Sequence, residues 1–160
     1  MSNAAAFLEE NRTEIINLET ILTSHIAIAP EGGGDGEMEK CNALEAWLRE
    51  KGFENIERFE APDSRVSAGV RPSLVVTIPG KEDTNRIWVM AHIDVVPTGD
   101  LSLWETDPWK VVEKDGKIYG RGVEDNQQGL CSAAFAALYY IKNGITPSHT
   151  VKLLFVADEE

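Results

Sequence analysis

Three short stretches of this 160-residue chain gather side chains that can bind a metal or move a proton. In "VMAHIDVV" the imidazole of His92 and the carboxylate of Asp94 are separated by one apolar residue. Strand alternation puts both on one side, and a carboxylate on the far nitrogen of an imidazole fixes its tautomer and raises its basicity towards metal. The plainer reading is an ion pair at a strand end. In "YGRGVEDNQQG" Asp125 follows a turn carrying two glycines and precedes a helical stretch. It reads either as that helix's N-cap or as a carboxylate whose two oxygens bridge two cations. "LLFVADEE" delivers Asp158, Glu159 and Glu160 straight after an apolar run. Neighbouring carboxylates repel and are costly to desolvate, so a positive charge is expected beside them. If the strand continues, Glu159 and Glu160 point to opposite sides, one free to bind metal and the other to hold a water.

These residues need elements that carry them to one place. Apolar residues from Phe7 to Leu22 recur at helical spacing and predict one amphipathic helix over Ala5–Ser24. The glycine-rich stretch Pro30–Gly36 lacks the preceding strand and the Gly-Lys-Ser/Thr of a phosphate cradle and reads as a mobile loop. A second helix, about Glu37–Lys51, aligns Cys41, Leu44 and Leu48 and stops at Gly52. Strands are predicted at Phe53–Phe59, Ser73–Ile78 and, more buried, Arg86–Ala91. Asp115-Gly116 predicts a hairpin turn between Val111-Val112 and Ile118-Tyr119. An alanine-rich helix over Asn126–Asn143 and a last strand over Thr150–Ala157 complete the alternation. All three reactive stretches follow the end of a strand or hairpin, where open α/β sheets collect their ligands.

Composition narrows the partners. A formal charge of -12 argues against nucleic acid and anionic membrane surfaces and in favour of cations. The two cysteines, Cys41 and Cys131, fall inside helical stretches, which predicts buried, reduced thiols and a cytoplasmic location. No apolar run approaches the roughly 18 residues of a membrane span. The opening Ser2-Asn3-Ala4 has the look of a cloning remnant and is left outside the fold reading.

Taken in order, "MAHIDVVP", "WETDPW", "DGKIYGRGVEDNQQG" and "LLFVADEE" resemble the motifs of the M20 family of zinc metallohydrolases, over about Arg86–Glu160. That family includes glutamate carboxypeptidase, aminoacylase, acetylornithine deacetylase and succinyl-diaminopimelate desuccinylase. The resemblance implies an α/β three-layer sandwich with a mixed, mostly parallel sheet. It implies two zinc ions, for which cobalt can substitute, with His92 on the first, Glu160 on the second and Asp125 bridging them. Asp94 would orient His92, and Glu159 would be the general base. Water whose pKa the metal lowers, together with a glutamate base, would then hydrolyse an amide bond in a small peptide or N-acyl amino acid.

The stretch Asn126-Gln127-Gln128-Gly129 departs from the family pattern, with Gln where Lys is common and one residue more before the glycine. The resemblance also implies that residues 1–160 are the N-terminal part of a catalytic domain, without a further acidic ligand, a distal histidine, and the lid domain through which the full-length protein would form a homodimer. His25 and His149 are poor substitutes as ligands. Weak metal binding and little turnover are therefore expected of this chain alone. The competing readings are a non-catalytic metal-binding or interaction module and a related di-zinc aminopeptidase, which "YGRGVED" fits less well. Trp104 and Trp109 read as packing on the hairpin, and Arg121 either as a contact for a substrate carboxylate or as an ion pair holding its turn.

Overall fold

The computed structural model describes residues 3–160. Ser2 lies outside the described residues, while Asn3 and Ala4 belong to the first helix. The predicted N-terminal helix is divided into α1, Asn3–Glu10, and α2, Arg12–Ser24. The break is at Asn11, whose φ of -100° and ψ of 11° leave the helical region and whose side-chain amide donates to the Phe7 carbonyl at 2.8 Å. Asparagine competes for helix carbonyls in this way. Pro30–Gly32 forms a short 3-10 turn, and the Asp35 carboxylate accepts from the Ser67 backbone N–H at 2.6 Å, so the expected mobile loop is a built one.

Helix α3, Met38–Glu50, is followed by Gly52 at a φ of 95°, the left-handed stop expected there. Strands β1, Ile56–Pro62, and β2, Val70–Ile78, pair antiparallel, and β3 covers Glu82–His92. The hairpin of β4, Val112–Lys114, and β5, Lys117–Tyr119, turns at Asp115 and Gly116 with φ of 53° and 72°. Helix α4, Gln128–Lys142, leads to β6, His149–Val156.

The main sheet has the order β1-β2-β6-β3, with β6 inserted antiparallel to β2 and parallel to β3. It is mixed, as expected, but its parallel share is one pair of three. Parallel pairing requires a crossover, which α4 supplies only between β3 and β6. Alternate residues Leu74, Val76 and Ile78 of β2, Leu153 and Phe155 of β6, and Ala91 of β3 face Leu18, Leu22, Leu44, Leu48, Leu130, Phe135 and Leu138 of the helices in one core.

The expectation of a buried β3 is corrected. Ile87, Trp88, Val89 and Met90 are exposed, Met90 at 66%, because β3 is the edge strand beyond β6. Cys41 and Cys131 are free and buried, as predicted. Among the described residues no helix is long and apolar enough to cross a membrane.

Candidate metal centre

Parallel strands β3 and β6 end side by side, with His92 paired to Val156 and the Ile93 N–H donating to the Val156 carbonyl at 2.8 Å. Ile93 and Val95 are fully buried on the other side of this extension. Their alternation turns His92 and Asp94 together, as a strand requires. The third segment comes from the turn before α4. Gly122 sits there at a φ of 83°, where a Cβ would lie 2.6 Å from Val95 Cγ1 and 2.8 Å from the Gln127 side-chain amide, so only glycine fits. Beyond it, Val123–Gln127 makes a single wide turn carrying Asp125.

Asp125 caps no helix: α4 begins after Gln127, and no side chain caps it. The Asp125 carboxylate instead stands with Oδ1 3.1 Å from His92 Nε2. One donor atom each of His92, Asp125 and Glu160 lies within 4.8 Å of the others. Glu159 Oε2 is 3.8 Å from the same His92 Nε2. His92 is 6% exposed, against 70% for Asp125 and 58% for Glu159, so the imidazole forms the floor and the carboxylates the rim.

The role of Asp94 differs in detail from the expectation. His92 Nδ1 lies 3.1 Å from the Asp94 backbone carbonyl and 3.5 Å from its Oδ1. A carbonyl oxygen only accepts, which assigns a hydrogen to Nδ1 and leaves Nε2 turned towards the acids, where it carries a proton shared with Asp125 or offers its lone pair to a metal. The Asp94 side chain does a second job: Oδ2 accepts the backbone N–H of both Glu159 and Glu160 at 2.9 Å. The terminal acids are therefore not a continued strand with alternating sides. β6 ends at Val156, Asp158 takes a left-handed φ of 65°, and the chain folds over Asp94. Arg71, buried and ion-paired with buried Glu37, reaches across to Asp158 and holds that turn.

Electrostatics point the same way. Burial works to lower the His92 pKa, but the bond to Asp125 and the charges of Asp94 and Glu159 outweigh it and raise it. Burial, with Asp125 next in weight, raises that of Glu160. An imidazole nitrogen ringed by crowded carboxylates is the donor set of a divalent cation such as zinc.

Residues missed by the sequence reading lie behind the site: Glu19, Thr23, Glu37, Lys40, Arg71 and Gln127, all buried. The signal was present for two of them. Lys40 shares the α3 stripe with Leu44 and Trp47, and Glu19 shares that of α2 with Ile15 and Leu22. His149 opens β6 at the far end of the sheet, and the His25 Nδ1 lies 2.8 Å from the Ile21 carbonyl, so neither approaches the centre. Arg121 stacks over Trp104 at 5.3 Å, and the Trp104 indole N–H donates to the Thr98 carbonyl at 3.0 Å.

Residues 88–160 match the family model Peptidase family M20/M25/M40. An uncharacterized metallohydrolase of Methanocaldococcus jannaschii is 39% identical over 92% of this chain and 37% of its own length. A succinyl-diaminopimelate desuccinylase of Colwellia psychrerythraea is 31% identical over 95% of this chain and 36% of its own. The fold is that of a di-peptidase from Saccharomyces cerevisiae, with a TM-score of 0.77 at 18% identity, covering 96% of this chain and 33% of that one. An M20 family metallo-carboxypeptidase of Sulfolobus solfataricus gives 0.70 at 22% identity, over 89% of this chain and 30% of its own. The chain thus spans about 37% of the length of the metallohydrolase it matches. By its motifs, its fold and these relatives, the chain belongs to the M20 family of metallopeptidases.

Proposed function

We propose that the protein is a zinc-dependent hydrolase that cleaves an amide bond in a small peptide or N-acyl amino acid. The observation that carries this reading is the convergence of His92, Asp125 and Glu160 within 4.8 Å, with Glu159 alongside. His92 Nε2, Asp125 and Glu160 would hold zinc, two ions sharing Asp125 in the complete site. Bound there, zinc supplies Lewis acidity, polarising a carbonyl and lowering the pKa of water from 15.7 towards about 7.

The protein's own groups divide the remaining work. Glu159 stands on the rim with Oε2 free to take the proton of an attacking water and return it to the leaving amine nitrogen. Asp94 acts through other groups: it sets the His92 tautomer and holds the backbone of Glu159 and Glu160. The relatives' greater length supports residues 1–160 as the N-terminal part of a catalytic domain, with the remaining ligands, the lid and a homodimer contact supplied by further sequence. On this reading the 160-residue chain alone turns over little substrate.

The test is hydrolysis of N-acyl amino acids and dipeptides by the complete protein with zinc, comparing wild type with Glu159→Gln. Loss of a general base lowers kcat by about 10²–10⁴-fold. Unchanged turnover in the variant removes Glu159 from the chemistry and contradicts the proposal.

A further inference from the structure

The turn that carries Asp125 ends on a buried amide for which the reading above has no task. Gln127 is the last residue of Val123–Gln127 and is 1% exposed. Its backbone N–H closes the turn on the Gly122 carbonyl at 3.0 Å. Its side chain folds back beneath the same turn, so closely that a Cβ on Gly122 would meet the amide at 2.8 Å. An amide buried without partners is costly, so the groups it meets carry information.

Those groups come from two helices remote in sequence. The Thr23 hydroxyl of α2 lies 2.9 Å from the amide. Glu19 stands one turn earlier on the same helix, and Lys40 comes from α3, both of them buried. A carboxylate accepts and an ammonium only donates, which settles how the amide lies. Its NH2 donates to Thr23 Oγ1 at 2.9 Å and to Glu19 Oε2 at 3.1 Å, and its oxygen accepts from Lys40 Nζ at 3.3 Å. Turned over, the amide would set oxygen against carboxylate and NH2 against ammonium. A neutral group with a donor at one end and an acceptor at the other is what this gap between unlike charges takes.

We propose that Gln127 is a positioning residue of the metal centre: its amide pins the turn that carries Asp125 to α2 and α3, and so sets where the Asp125 carboxylate stands relative to His92. This rests on the reading of His92, Asp125 and Glu160 as metal ligands. Gln127 acts through the backbone of the turn, two residues from Asp125. His92 is held separately, at the end of β3, and meets the turn at the Nε2–Asp125 contact of 3.1 Å. Its ring therefore reports whether the turn is in place.

The test combines Gln127→Met, which keeps the length of the side chain and removes the amide, with Thr23→Val, which keeps the methyl packed beneath Gly120 and removes the hydroxyl. Each variant and the double variant are titrated with zinc by calorimetry, and NMR follows the His92 ring nitrogens in the metal-free proteins. Gln127→Met is expected to weaken zinc binding by about 10–100-fold, the usual effect of losing an outer-shell partner, and to shift the His92 Nε2 resonance. In the Thr23→Val background its penalty is expected to shrink by about threefold or more, because groups in contact do not contribute additively. A residue that only filled space would lower stability and leave both readouts of the folded protein where they were.

Given a wild type that binds zinc, unchanged affinity or an unmoved His92 resonance in Gln127→Met overturns the proposal, and so do equal penalties in the two backgrounds. If a protein carrying Gln127→Met fails to fold, Thr23→Val decides alone: weaker zinc binding together with a shifted His92 Nε2 upholds the proposal, and anything less overturns it. A wild type that binds no zinc defeats the metal reading instead. The His92 resonance then decides the role of Gln127 by itself, a shift in Gln127→Met supporting it and no shift overturning it.

Discussion

The front and the back of the metal centre are made from the same acidic and basic residue types under opposite conditions. In front, Asp125 and Glu159 are mostly exposed, within reach of His92 and without a lysine or arginine partner among the described residues. Behind, Asp94, Glu37, Lys40 and Arg71 are buried, Glu37 is ion-paired with Arg71, and Asp94 Oδ2 accepts two backbone N–H groups. Buried charges that are paired hold one geometry, since any displacement strands a charge in a low dielectric. Exposed carboxylates are cheap to leave unpaired and stay available to an incoming cation. Geometry is therefore stored at the back and chemistry displayed at the front.

Substitutions at the back should break this contrast most strongly. Arg71→Met strands the buried Glu37 and releases Asp158, and is expected to cost about 3–5 kcal/mol of stability in urea unfolding; a loss under about 1 kcal/mol would make the ion chain ornamental. Asp94→Asn keeps the size but weakens the anchor of Glu159 and Glu160, so zinc affinity should fall by about 10–100-fold while the fold persists.

Glu19 sharpens the contrast through pH. Its folded pKa, about 7, lies above the ordinary 4.5, so the folded protein binds the extra proton and stability attributable to Glu19 is lost as pH rises from about 4.5 through 7. Glu19→Gln should accordingly gain up to about 3 kcal/mol on the wild type between pH 4.5 and 8 in chelator, given roughly 1.4 kcal/mol per pKa unit; a constant difference across that range would contradict the assignment. The smallest effect belongs to the front. Glu159→Gln should change zinc affinity by less than about threefold, since the residue is read as a base and not as a ligand.

Much of this was legible because the reactive residues sit where strands end, and strand ends are marked by apolar runs giving way to polar ones. The convergence of His92, Asp125 and Glu160 was readable from that rule together with the family motifs. What the sequence concealed was long-range. The exposure of Trp88 and Met90 depends on β6 entering between β2 and β3, which leaves β3 at the edge. Glu159 and Glu160 do not alternate, because Arg71 holds Asp158 in a left-handed turn from a distant strand. Lys40 stood out on an apolar stripe, but its partner Gln127 comes from a segment that no local pattern connects to α3.

The central claim is that His92, Asp125 and Glu160 form one metal site, and calorimetric zinc titration of this chain against Asp125→Ala tests it most directly. The account predicts saturable binding by the wild type and a loss of at least about 100-fold in the variant, since on the proposed reading Asp125 would be the ligand that both ions share. Equal affinity in the two proteins, or no binding by either, would contradict it.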